Sequence, residues 1–283
     1  MKELMGLGTA LITPFKADKS VDYEALARLL DTQLTGSVDY IVVLGTTGEA
    51  ATMTEDEKRE VRTFIRKYVN GRLPLVLGVG GNNTAAVCET LKTIDLTGFE
   101  AILSVCPYYN KPNQEGLYQH FCAVAEASPI PVILYNVPGR TGVNLLPETV
   151  MRIYEAHPDK IAGIKEASGN VEQIKHLIDL AKDKLLVISG DDGIACEIME
   201  AGGAGLISVA SNALPEDFYD IVHKKDQAKQ AQYDQMIKLL FKEGNPVGIK
   251  AVLAQKGIIQ NYLRLPLVPA SEELQEEIKK ELA

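Results

Sequence analysis

AILSVCPYYNKPNQEGLYQHFCAVAEASPIPVILYNV, residues 101–137, is the stretch from which the architecture follows. AILSVC (101–106) is an apolar run of strand length. QEGLYQHFCAVAEAS (114–128) then repeats its apolar residues at helical intervals, and PVILYNV (131–137) is a second apolar run. Strands buried on both faces read as near-continuous hydrophobic runs, and parallel neighbours need a crossover about a dozen residues long. The stretch is therefore a strand, a helix and a parallel strand.

The same alternation extends in both directions. Apolar runs recur at GTALITPF (8–15), YIVVLG (40–45), LPLVLGVG (73–80), IAGIK (161–165), LLVISG (185–190) and GLISVA (205–210), which with the first two make eight. TEDEKREVRTFIRKYV (54–69) is another amphipathic helix, and its Thr54 and Glu57 have capping-box spacing. Eight strands, each followed by a helix, match a closed (β/α)8 TIM barrel of the α/β class better than an open sheet. An open dinucleotide-binding sheet would begin with G-x-G-x-x-G, whereas GVGGNN (78–83) has Asn83 where the last glycine belongs. The barrel is expected over 1–224 and a C-terminal helical extension over 225–283, with no repeat or low-complexity tract between them.

Composition narrows the range of partners. The 46% of hydrophobic side chains in 283 residues can bury a large core, so the chain is expected to be globular. A net charge of -9 offers no general attraction to nucleic acid or to an anionic membrane, leaving small molecules or further copies of the chain as partners. Cys88, Cys106, Cys122 and Cys196 show no CxxC spacing and read as buried, reduced thiols of a cytoplasmic protein. Near the amino terminus, Pro14 and the charged residues after it fit neither a signal peptide nor a membrane span.

Active sites of this fold lie at the carboxyl ends of the strands, and the unusual polar residues gather there. They are GTTGEA (45–50), PYYNKP (107–112), YNVPGRTG (135–142), Lys165 and GDDG (190–193). Alternation along the sixth run sets Lys165 on the side of Ile161 and Gly163, and Glu166 on the other. Taken singly, a strand-end lysine more often runs its stem to solvent. In a desolvated barrel mouth, however, an amine is expected to lose its proton more readily and to attack ketones. Carbinolamine formation and dehydration move protons, and Tyr135, in line with Ile133 on the neighbouring strand, could carry them; a packed core tyrosine is an equal reading. Thr46 and Thr47, flanked by Gly45 and Gly48, offer hydroxyls and accessible N–H groups to a carboxylate, or form a plain tight turn. Arg140, behind Pro138 and Gly139, could grip another carboxylate through two parallel hydrogen bonds, or lie on the surface.

GTTGEA, PYYNKP, YNVPGRTG, GIKEASGN, SGDD and GLISVAS, in this order and spacing over essentially the whole chain, resemble the dihydrodipicolinate synthase family, within the N-acetylneuraminate lyase superfamily. The resemblance implies a (β/α)8 barrel with a C-terminal helical region, assembled as a homotetramer from pairs of dimers. It implies condensation of pyruvate with L-aspartate 4-semialdehyde to 4-hydroxy-tetrahydrodipicolinate, on the way to lysine and diaminopimelate, with no metal and no organic cofactor. Lys165 matches the Schiff-base lysine and Tyr135 the acid/base tyrosine; Thr47 and Tyr109 match the rest of the proton relay, Tyr109 reaching in from a neighbouring subunit. Thr46 and Thr47 match the pyruvate-carboxylate contacts, Gly190 and Ile207 supply backbone groups near the keto acid, and Arg140 matches the residue that holds the semialdehyde's carboxylate.

Sialic acid lyases of the superfamily usually carry serine where this chain has Thr46 and lack the arginine at the position of Arg140, so both residues favour the synthase. A catalytically silent barrel would have no use for the lysine and tyrosine together. NPVGIK (245–250) departs from many relatives in having Gly248 in place of proline, which touches only a local helix start. In lysine-inhibited relatives a carboxylate and a histidine receive the effector; here the matching positions are Ala86 and Lys58, Asn82 and Tyr108 still match, and a second histidine position is Glu55. Weak or absent inhibition by lysine is the expectation.

Overall fold

The computed structural model describes residues 2–282. Eight strands, β1 (Gly6–Ala10), β2 (Tyr40–Val43), β3 (Leu75–Gly78), β4 (Ala101–Val105), β5 (Val132–Asn136), β6 (Ile161–Glu166), β7 (Leu186–Ser189) and β8 (Gly205–Ser208), follow one another in chain order and close into a barrel. Between them run α1 (Tyr23–Thr35), α2 (Glu55–Val69), α3 (Thr84–Thr93), α4 (Gln114–Ala127), the single turn α5 (Pro138–Thr141), α6 (Pro147–Ala156), α7 (Val171–Ala181) and α8 (Ala195–Glu200). After β8 come α9 (Pro215–Lys224), α10 (Gln227–Gln232), α11 (Asp234–Lys242), α12 (Val247–Gln255) and α13 (Glu272–Glu281). The (β/α)8 TIM barrel with C-terminal helices expected from the eight apolar runs is the fold of the chain.

The chain divides into two compact units, one of Pro74–Ile207 with the residues up to Met5, the other of Gly6–Leu73 with the residues from Ser208 onward. In the first, β4, β5, β6 and β7 are parallel and buried on both faces, which is why their sequences show little polar alternation. Ile102, Ile133, Ile164 and Ile188 are fully buried there. In the second, β1 and β2 pair in parallel, and Leu26, Leu29 and Leu30 of α1, Phe218 of α9 and Leu253 of α12 are equally buried.

Local signals place most helix starts. Thr54 Oγ1 accepts from Glu57 N at 3.2 Å and Glu57 Oε2 accepts from Thr54 N at 2.9 Å, so the capping box read at the start of α2 forms. Asn83, Asn113 and Asn170 cap α3, α4 and α7 in the same way, each accepting from an N–H of the first turn. The first strand differs from its apolar run. It begins two residues earlier, at Gly6, and ends at Ala10, because Ile12 N donates to the side-chain Oδ1 of Asn212 at 3.1 Å and Pro14 has no N–H with which to continue a ladder. Gly248 leaves the helix start intact: α12 begins at Val247. A Cβ there would lie 2.4 Å from Leu240 O and 2.6 Å from Leu240 Cα, so close packing against α11 explains the glycine.

Candidate active site

Tyr135 and Lys165 occupy directly paired positions of β5 and β6, which puts both side chains on one side of the sheet near the carboxyl ends of their strands. Both are buried, at 7% and 6% exposure. The Lys165 nitrogen lies 4.5 Å from the centroid of the Tyr135 ring. A shift in register falls between Val132 and Ile133, and from the Ile133 and Gly163 pair onward the alternation is regular, as the sequence reading required.

The glycine that clears a path for the lysine is Gly190, immediately after β7. A Cβ on Gly190 would sit 2.9 Å from Lys165 Cε and 2.7 Å from the Cβ of Ala167. Its backbone N–H donates to Glu166 O at 2.8 Å, which fixes the approach. Gly163, the glycine that the sequence places in line with Lys165, serves a different contact: a Cβ there would be 2.4 Å from Leu186 O. Ile207, near the end of β8, is buried in the same unit.

One residue further along each strand, Asn136 and Glu166 point to the other side and meet. Asn136 Nδ2 donates to Glu166 Oε2 at 2.9 Å and to Asn144 Oδ1 at 2.8 Å, while Asn136 Oδ1 accepts from Leu145 N at 2.9 Å. Glu166 also accepts from Ser168 N at 2.8 Å and from Gln173 Nε2 at 3.3 Å. Both side chains are fully buried. Burial pushes the Glu166 carboxyl above the usual carboxylate range, against the opposing pull of these N–H donors.

Arg140 lies on α5, where Val137 O accepts from its backbone N at 2.9 Å and Gly142, with φ 76°, ends the turn. The Arg140 side chain is on the exposed side of that turn. Tyr109 follows β4 in the left-handed region, at φ 75°, with its N–H directed at Thr141 O at 3.4 Å and its side chain 89% exposed. A tyrosine held at positive φ and left almost fully open is an unusual use of an aromatic side chain.

The second unit carries the threonine pair in a 3-10 turn, Thr46–Gly48. Thr47 is buried and its Oγ1 accepts from Asn245 Nδ2 at 2.9 Å, whereas Thr46 is exposed. Glu49, left-handed at φ 54°, ends the turn, pairs with the fully buried Lys250 and accepts from Arg264 N at 3.2 Å. Lys250 also donates to Tyr262 O at 3.0 Å and lies 4.2 Å from the Phe15 ring centroid. Burial lowers its pKa to about 8 against the pull of Glu49. Arg264 lies over the same Phe15 ring, forks onto Glu57 and donates to Lys19 O and Thr52 O.

Asn136, Glu166, Asn245, Glu49, Lys250 and Arg264 were absent from the sequence reading as site residues. Asn136 and Glu166 had a usable signal, since each is a polar residue next to a proposed catalytic one on a strand too apolar to solvate it. Among the described residues no group of three or more His, Cys, Asp or Glu side chains is placed to hold a metal ion. No helix among them is long and apolar enough to cross a membrane, and none of the four cysteines is in a disulfide; Cys106 and Cys196 are buried as expected, whereas Cys88 and Cys122 are half-buried.

The parallel barrel and the polar residues at the ends of its strands define an enzyme of the (β/α)8 type. The chain belongs to the dihydrodipicolinate synthetase family, whose model matches residues 3–283. The 4-hydroxy-tetrahydrodipicolinate synthase of Flavobacterium psychrophilum is 52% identical over 281 residues, covering 97% of this chain and 96% of its own. That of Parabacteroides distasonis is 49% identical over 286 residues, covering 99% and 96%. Among solved structures, the chloride-inhibited dihydrodipicolinate synthase of Acinetobacter baumannii, complexed with pyruvate, superposes with a TM-score of 0.94 at 40% identity over 99% of this chain and 98% of that one.

Proposed function

We propose that this chain condenses pyruvate with L-aspartate 4-semialdehyde to give 4-hydroxy-tetrahydrodipicolinate, a step of lysine and diaminopimelate synthesis in the cytoplasm, through an imine on Lys165. Full-length similarity to synthases of that name supports the reaction. The single observation that carries the assignment of Lys165 is its amine nitrogen, buried 4.5 Å from the Tyr135 ring at a strand end, with Gly190 leaving room for the stem.

In this reading the free amine of Lys165 attacks the keto carbon of pyruvate, and loss of water from the carbinolamine leaves the imine. Tyr135 carries protons in those steps, relayed by Thr47 and by Tyr109 of a neighbouring subunit. Removal of a methyl proton turns the imine into an enamine, whose carbon attacks the aldehyde. The semialdehyde's own amino group then closes the ring and expels the lysine. Thr46 and Thr47 bind the pyruvate carboxylate, Gly190 and Ile207 face the keto acid with backbone groups, and Arg140 holds the second carboxylate. The barrel of residues 1–224 is the catalytic part, and 225–283 the helical region.

We further propose a homotetramer, a dimer of dimers. The observation in favour is the open, positive-φ Tyr109 beside the half-exposed Tyr108. Borohydride reduction with pyruvate tests the central claim, since it should leave a stable adduct on Lys165, found by peptide mapping. An adduct elsewhere, or none, would make the assignment wrong.

A further inference from the structure

We propose that Asn136 and Glu166 are positioning residues that hold Tyr135 and Lys165 in the geometry for imine formation; the inference rests on the reading of Lys165 and Tyr135 given above. Each belongs to the same strand as the residue it positions and follows it directly, so no flexible segment separates cause from effect. The two side chains are joined by the hydrogen bond from Asn136 Nδ2 to Glu166 Oε2 at 2.9 Å. That bond ties the last residues of β5 and β6 on the face opposite the reacting pair.

The clamp has one defined orientation. Asn136 Oδ1 accepts from Leu145 N, so the amide cannot turn over without losing that bond, and Nδ2 must face Glu166 and Asn144. Glu166 in turn meets only donors, the N–H groups of Asn136, Ser168 and Gln173 and the hydroxyl of Ser168. Asn144 and Gln173 exchange two further hydrogen bonds, at 2.7 and 3.1 Å, and extend the network to the start of α7. Gln114 donates to Asn144 O at 2.7 Å, so α4 is fastened to the segment that follows α5. A buried network whose members are all satisfied specifies one arrangement, and a small misplacement of reacting groups is costly in rate.

Glu166→Gln keeps the shape and turns one acceptor oxygen into a donor, which must then face either Ser168 N or the two amides. Exchanging the groups in the double variant Asn136→Asp, Glu166→Gln restores the pairing. The amide now on β6 can donate to the carboxylate now on β5 while still accepting from Ser168 N, and Asn144 and Gln173 can turn over together. The test measures the rate of borohydride-trapped imine on Lys165 with pyruvate, the pyruvate KM and the thermal midpoint. Ser128→Ala, which removes a part-buried hydrogen bond from Ser128 Oγ to Ile130 O at 2.6 Å ahead of β5, serves as the control for lost stability.

Glu166→Gln is expected to slow imine capture by about tenfold to a hundredfold with little change in pyruvate KM. The double variant should return to within about threefold of the unaltered protein, a gap of about 0.65 kcal/mol. Ser128→Ala should lower the midpoint while leaving capture unaffected. Capture by Glu166→Gln at the unaltered rate overturns the inference, as does a double variant no faster than the single one, or an equal slowing by Ser128→Ala. If the unaltered protein gains no label on Lys165, the reading of Lys165 itself fails.

Discussion

Replacing Glu57 by glutamine should remove a pH-dependent clamp on the turn that carries Thr46 and Thr47. Glu57 sits in the first turn of α2, and Arg264 forks onto it with Nη1 donating to Oε2 at 2.8 Å and Nη2 to Oε1 at 2.5 Å. The backbone N of Arg264 donates to Glu49, the residue that ends the threonine turn. Hydrogen bonds from Arg264 in the first place, and from Thr54, hold the Glu57 carboxyl down to about 2 from its ordinary 4.5. That gap corresponds to an upper bound of about 3–4 kcal/mol.

The Glu57 side chain is 28% exposed, so solvent screening reduces the contribution to about 1–2 kcal/mol. With an unfolding entropy of about 2.1 cal/mol/K per residue, a chain of 283 residues loses about 2–3 °C in midpoint. The sign follows from linkage. Between pH 4.5 and about 2 the unfolded chain binds this proton and the folded chain does not, so the stabilisation is full above 4.5 and disappears as pH falls through about 2. The unaltered protein and Glu57→Gln, melted at pH 7 and again near pH 3, should differ at both values but by roughly half as much or less at the second, because the folded carboxylate is then approaching its own titration at about 2. A difference equal at both values, or larger in acid, would refute the assigned role of the carboxylate.

Gly190→Ala should place a methyl group 2.9 Å from Lys165 Cε, lowering kcat by at least about tenfold while costing about 1–3 kcal/mol of stability, read from turnover and melting; unchanged turnover would count against the packing argument. Tyr109→Phe should slow turnover yet leave the assembly intact, and hybrids with Lys165→Ala should regain part of the activity, because an open side chain at φ 75° is suited to act in a neighbour's site. Confirmed hybrids without recovery would refute the shared site. Free lysine should inhibit weakly or not at all, since Ala86 offers no carboxylate and Glu55 is engaged by Lys58 Nζ at 2.8 Å. The missing charge-assisted hydrogen bond amounts to about tenfold or more in affinity, and half-maximal inhibition at submillimolar lysine, with binding seen by calorimetry, would show another group in its place.

The order of eight strands, the capping box at Thr54 and the strand-end place of Lys165 were determined by sequence alone, because each rests on a period or a spacing within about twenty residues. The pairing of Tyr135 with Lys165 was half determined: alternation set the side of the sheet, but only the register brought them level. Tertiary structure alone decided the supports. Thr47 and Asn245 are 198 positions apart, and Glu57 and Arg264 are 207 apart, so no local pattern links them. Asn136 and Glu166 lie 30 positions apart, so although each stands out as a polar residue closing an apolar strand, only the fold shows that they are buried and bonded to each other. Gly190 and Gly248 stand out in the sequence only through the family resemblance, and the approach of Lys165 to the first and of Leu240 to the second shows why a side chain is excluded. Hydrophobic periodicity is local because it follows the geometry of one element, whereas buried polar partners satisfy one another across whichever elements the fold brings together.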